Sequence, residues 1–350
     1  MNIESPFDRL SRVSTAFQES CLLAAAAELD VFTIILEHNN RLTAQELSAI
    51  CKTNLHGITV LLDTLAATEY LCKKSVHPNS NPNSPPNSES VYSVAEEFQI
   101  LLDRRNPETF VPMIRHMACV QRSWTELART IKNGTPFEIS PSILGENEDR
   151  DSFIWAMNSI AQKLVEPTVL SLQKAGLLKF NHFIDVGGAS GTYTLAFLEA
   201  LPESQGTIFD LPVGIAAARQ RFTGTKYENR VQLVEGNFDN DELPIGFDFA
   251  WISAIIHQFG RNESRKLYEK VFRSLYAKGK VAIRDFMMNP ERTAPKDGAF
   301  FGVSMLVETK TGMVYTFDEV KADLESVGFT EVQFAVPTET MSAIVTAQKP

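Results

Sequence analysis

The chain has 350 residues and a mass of 39.0 kDa, enough for two domains, and its 44% hydrophobic and 22% charged content is ordinary for a globular protein. A net charge of −10 and a pI near 5.2 argue against nucleic acid or an anionic membrane as the main partner. The four cysteines (Cys21, Cys51, Cys72, Cys119) lack disulfide-framework or zinc spacing, the opening MNIESPFDRL lacks a secretory pattern, and no apolar run is long enough for a membrane span, so a cytoplasmic protein is expected.

Residues 1–104 read as a helical unit closed by a hairpin. The segment 17–37, FQESCLLAAAAELDVFTIILE, is apolar on nearly every side, and such a helix needs several faces buried. A second subunit is a ready source of that cover. Thr43 followed by Glu46 forms a capping box, and HGITVLLDTLAATEY supplies the next helix of a helix-turn-helix. LCKKSV and VYSVA are the strands of a wing, joined by the tract HPNSNPNSPPNSES (77–90), which cannot bury enough apolar surface to order itself. A DNA reader needs Lys and Arg for phosphate contacts, and residues 54–70 hold neither. The unit therefore reads as a winged helix used for homodimerisation, with no nucleic-acid partner.

Residues 105–178 continue as helices, FVPMIRHMACVQRSWTELARTI and SFIWAMNSIAQKLVEPTVLSLQKAGLL, forming a linker that carries pocket residues. From 179 to 350 short apolar strands alternate with helices: HFIDV, GTIFDL, VQLVEGN, FDFAWISAII, KVAIRDF, TEVQFAV and SAIVTAQ. Helices are expected between the first six strands. The last two leave no room for one, so the final strand must pair antiparallel. The outcome is a Rossmann-like, doubly wound α/β sheet.

The stretch FIDVGGASGTYTLAF (183–197) places a small-residue loop after the first strand and at the start of a helix, where backbone N–H groups are free for a ligand. Small residues fall at Gly187, Ala189 and Gly191, with Gly188 as an extra, so the G-x-G-x-x-G dinucleotide spacing fails. The pattern D-x-G-x-A-x-G instead resembles the motif of class I S-adenosylmethionine-dependent methyltransferases. Asp185 suits a ligand carrying an ammonium and a sulfonium and would repel pyrophosphate. Asp210 ends the second strand in TIFDLP, where an acid can accept bonds from ribose hydroxyls; the alternative is a turn cap ahead of Pro212. Asn237 and Phe238, after the third strand, stand where an adenine could be hydrogen-bonded and stacked.

FIDVGGASGT, FDLP with its Leu211, the GNF turn, IIHQF and the winged helix together resemble the small-molecule O-methyltransferases. These include the plant caffeic acid and acetylserotonin enzymes and bacterial relatives that modify polyketides and pigments. The resemblance runs from about Phe17 to Pro350. It implies S-adenosylmethionine as cofactor, a homodimer and a small and aromatic acceptor; no carboxylate or histidine cluster has metal-ligand spacing, so no metal is expected. His257, behind the fourth strand, takes the place of the general base, and Asp285 that of the acid that orients it; the alternatives are a histidine capping the helix RNESRKLYEKVFRSL and an ion pair of Asp285 with neighbouring Arg284. The plant enzymes carry a further glutamate in a GKERT-like segment. Here the segment is GMVYT, with Val314 at that place, so base orientation falls to Asp285. Asn237 replaces a usual aspartate, Ser253 a lysine of the cofactor site, and Phe259 a tryptophan. By matching positions Met305 and Thr309 line the acceptor pocket, Met157 contributes, and Phe301 and Glu308 share the helical face of Met305. A methyltransferase fold that binds its cofactor without catalysis is the competing reading.

Overall fold

The computed structural model describes residues 4–75 and 90–350. The tract expected between the wing strands lies, up to Glu89, outside the described residues. The chain divides into two compact units, Met1–Arg122 with Ile139–Met157, and Ser123–Glu138 with Asn158–Pro350.

In the first unit the apolar segment 17–37 is two helices, Phe17–Glu28 and Val31–Glu37, rather than one. Asp30 breaks it in the left-handed region (φ 56°), a conformation a short polar side chain tolerates. The break turns Val31, Phe32 and Ile35 into a shared core with Leu47, Leu62 and Tyr92. Thr43 caps the helix Ala44–Cys51 through the reciprocal pair Glu46 N to Thr43 Oγ1 (3.2 Å) and Thr43 N to Glu46 Oε2 (2.8 Å), as the sequence predicts. The helix Leu55–Ala67 follows, and the wing strands Leu71–Ser75 and Ser90–Val94 pair antiparallel, with Leu42–Thr43 added at the edge. The N-terminal helix Pro6–Thr15 buries none of its residues; Phe7 and Leu10 are 79% and 73% exposed.

The second unit is built on a seven-stranded sheet: β1 (His182–Val186), β2 (Gln205–Asp210), β3 (Val231–Glu235), β4 (Phe247–Ser253), β5 (Leu275–Asp285), β6 (Thr330–Val336) and β7 (Ala343–Gln348). The spatial order is β6-β7-β5-β4-β1-β2-β3. β1 to β5 run parallel, and β7 lies antiparallel between β5 and β6, as the missing connection requires. One face packs Ile184, Val186, Ile252 and Ile283 against the helices Arg261–Ser274 and Phe317–Val327. The other packs Phe183, Trp251 and Ile344 against Thr192–Ala200 and Pro212–Phe222.

Two expectations are corrected. Residues 236–246, between β3 and β4, hold no helix: Asn237 Oδ1 accepts from Asp239 N (2.9 Å) and Asp241 Oδ2 from Asn237 N (2.8 Å), local side-chain bonds that favour turns over helix. β4 also stops at Ser253 rather than running to Ile256; Ala254 takes φ 56° and a 3₁₀ turn, Ile256–Gln258, follows. No helix among the described residues is long and apolar enough to cross a membrane.

Candidate active site

Strand order reverses between β1 and β4, so connections leave in opposite directions there and a crevice opens at the carboxyl ends of the strands. Asp185, Asp210, Ser253 and Asp285 lie at or within one residue of the carboxyl ends of β1, β2, β4 and β5. The loop after β1 passes tightly over them. A Cβ on Gly188 would lie 2.6 Å from the Asp185 carboxyl carbon, and Gly191, the N-cap of Thr192–Ala200, has φ 77° with Ile208 and Phe222 filling the space of a side chain. Ala189 also takes a positive φ of 45°, strain that persists only where the surroundings hold it. Its N–H is held by Asp210 Oδ2 at 2.7 Å. Gly187 sits against Ile255 and Phe238.

Asp185 is buried and accepts from the Thr194 hydroxyl at 2.7 Å. Burial pushes its carboxyl up to about 7; the Asp210 charge adds to this, while the Thr194 bond opposes it. Asp210 is likewise raised by burial and eased down by the amides of Ala189 and Leu211. Neither acid forms an ion pair among the described residues. Two such carboxylates beneath a loop of small residues fit a cationic nucleoside and disfavour a diphosphate.

Around them, Leu211 caps Pro212–Phe222 and is exposed. Asn237 bonds within its own turn, and Phe238 packs edge-on to Phe259 at 5.8 Å. Ser253 Oγ accepts from Arg284 Nη1 at 3.1 Å.

On the opposite flank, His257 Nδ1 lies 2.9 and 3.0 Å from the two Asp285 oxygens, and both residues are buried. Phe286 N also donates to Asp285 Oδ1 (2.8 Å). A carboxylate on Nδ1 keeps the proton there and leaves Nε2 with its lone pair. Phe301, in the helix Lys296–Glu308, meets the imidazole edge-on at 4.7 Å. Beyond that helix the chain is latched to the same histidine: Thr309 Oγ1 donates to Met305 O (2.6 Å) and accepts from Gly312 N (2.8 Å), while Met313 N donates to His257 O (2.9 Å). Burial raises the Glu308 carboxyl, and the His257 charge draws it back. Val314 is buried. Met157 lies half-buried in the helix Glu146–Lys174, within the first unit.

The structure thus gathers Asp185, the glycines and Asp210 at one place, and carries His257 on a 3₁₀ turn, Asp285 at a strand end and Phe301 and Met305 on one helix. Sequence reasoning missed Thr194 as the partner of Asp185. It also missed the direction of Arg284, which turns to Ser253 and forms no ion pair with Asp285. Strand alternation held that signal, since neighbours on a strand point to opposite faces.

Residues 127–330 match a family model described as the O-methyltransferase domain, and residues 11–96 match the O-methyltransferase dimerisation domain. The chain belongs to the O-methyltransferase family. As a member it is an S-adenosylmethionine-dependent O-methyltransferase. Among its relatives is the acetylserotonin O-methyltransferase of Macaca mulatta, 24% identical over 93% of each chain. The tetracenomycin polyketide synthesis 8-O-methyl transferase of Streptomyces glaucescens is 25% identical over 95% of this O-methyltransferase and 94% of its own length. Among solved structures, human N-acetylserotonin methyltransferase in complex with its cofactor superposes with a TM-score of 0.76 at 22% identity, covering 99% of both chains.

Proposed function

We propose that this enzyme methylates a hydroxyl of a small aromatic acceptor, with His257 as general base, and works as a homodimer. The observation that carries the reading is the buried His257–Asp285 pair, set at the carboxyl edge of the sheet that also carries the acidic glycine loop. S-adenosylmethionine, when bound, supplies an electrophilic methyl carbon on a sulfonium. The loop of Gly187, Gly188 and Gly191 would let its methionine part approach closely, and Asp185 would provide the counter-charge. Asp210, flanked by Leu211, would hold the ribose, Asn237 and Phe238 the adenine, and Ser253 the remaining edge.

The acceptor lies against the helix of Phe301 and Met305, with Thr309 completing its pocket. A phenol has a reference pKa near 10, so a base within hydrogen-bond reach is useful at neutral pH. His257 Nε2 takes the hydroxyl proton, and Asp285 stabilises the imidazolium that results. Positioning of the oxygen in line with the methyl group supplies most of the acceleration.

Replacing His257 with Ala is expected to leave calorimetric binding of S-adenosylhomocysteine unchanged and to cut turnover on a responsive phenol by about 10²- to 10⁴-fold. Unaltered turnover would remove His257 from this role. The homodimer is supported by the dimerisation-domain match and by the exposed apolar residues of Pro6–Thr15.

A further inference from the structure

Arg284 is the penultimate residue of β5 and is 3% exposed. Its guanidinium lies 5.6 Å from the centre of the Tyr193 ring, and one nitrogen, Nη1, reaches Ser253. Its Nε and Nη2 have no hydrogen-bond partner, and no carboxylate pairs with it among the described residues. The Tyr193 hydroxyl and Trp251 Nε1, on rings 5.3 Å apart, are also buried without a partner. Donors therefore gather here with no carboxylate among them. A buried guanidinium left this way is unfavourable, and the group that completes it best is a carboxylate, which matches its planar fork.

Strand order indicates which carboxylate. With the ribose at Asp210 on β2 and the adenine after β3, the amino-acid end of the cofactor must run past β1 toward β4 and β5. Ser253 ends β4, and Arg284 is its register partner on β5. The amino-acid end is a zwitterion. Asp185, in register with Trp251, and Arg284, two residues along from Ala282 opposite that Trp251, present an anion and a cation to the same face of the sheet. We infer that Arg284, assisted by the Tyr193 hydroxyl, is a cofactor-binding residue that recognises the α-carboxylate of the methionine moiety. This inference rests on the assignment of the ribose and adenine ends given above.

The test uses the full-length protein and two ligands: S-adenosylhomocysteine and its decarboxylated analogue, which keeps the nucleoside, thioether and amine. Wild-type protein is expected to prefer S-adenosylhomocysteine by about 10- to 100-fold, the range for hydrogen bonds to a charged group. Arg284→Met should lose that preference, weakening S-adenosylhomocysteine while leaving the analogue's affinity as it was. Because an apolar residue of similar length replaces a buried charge, the melting temperature should hold or rise. Should the Met variant fail to fold, Arg284→Lys keeps the charge and loses the fork, and an intermediate preference is expected. Equal effects on both ligands, or none on either, would overturn the inference. Failure of wild-type protein to bind either ligand would instead sink the cofactor reading itself, a separate outcome.

Discussion

Asp185 is held in a state that a ligand can change. Its carboxyl is pushed up to about 7 by burial, so in the free protein it takes its charge as pH rises through neutrality. A folded value above the ordinary one means that this group's favourable contribution to stability is full below about pH 4 and fades as pH climbs toward 7. On the proposed placement of the cofactor, its ammonium would bind the anion and not the acid, so affinity has the opposite slope. Binding of S-adenosylhomocysteine, measured by calorimetry from pH 6 to 8, should tighten with pH, and Asp185→Asn should flatten the curve and weaken binding at pH 8. A flat wild-type profile would show that the ligand's charge is satisfied elsewhere. At this scale the sequence was informative where a residue's place follows from a strand end, as for Asp185, Asp210 and Asp285. It was silent on partners, because whether Thr194 or an arginine meets a given acid depends on which helix packs on which face.

The tight turn after β1 owes its shape to what lies beneath it. A methyl group on Gly188 would meet the Asp185 carboxylate at 2.6 to 3.0 Å, and Thr194 holds that carboxylate in place. Gly188→Ala is therefore expected to cost about 1–3 kcal/mol in denaturant unfolding, the usual penalty of overpacking, and to weaken S-adenosylhomocysteine at least tenfold. An alanine variant with wild-type stability and affinity would contradict the packing described. Alternating strands and helices, the antiparallel last strand and the Thr43 capping box could all be read in the sequence because each depends on local pattern. The break at Asp30 and the helix-free passage from β3 to β4 could not be read from apolar periodicity. The first turns on a left-handed Asp30 and the second on Asn237 and Asp241 bonding within their own turn, effects that a hydrophobic pattern does not register. The early end of β4 at Ser253 was hidden for the same reason, since the apolar run continues through Ile256 while the backbone has already turned at Ala254.

For the whole molecule, the helix Pro6–Thr15 is the element that a single copy leaves unfinished. It buries no residue, yet carries Phe7, Leu10 and Val13 on the outside. Contiguous exposed apolar surface of this kind is uncommon on a monomer. Light scattering should give a dimer, and Phe7→Ser combined with Leu10→Ser should shift the population toward monomer at micromolar concentration. A wild-type monomer would contradict the dimer. The acidic overall charge keeps such a surface from non-specific contact with nucleic acid, whatever covers it.

The bond from Met313 N to the carbonyl of His257 joins the backbone of the proposed base to the turn that follows the helix proposed to line the acceptor. That turn is also tied to the helix end through Thr309. On the proposed assignment, selectivity and chemistry share a hinge. Variation at Phe301 or Met305 can remodel what the enzyme accepts, whereas insertions or deletions between Thr309 and Met313 would displace the base together with the wall. Diversification of substrate range on this scaffold is thus channelled into side-chain exchange within the helix, and the length of the following turn is the quantity that must stay fixed.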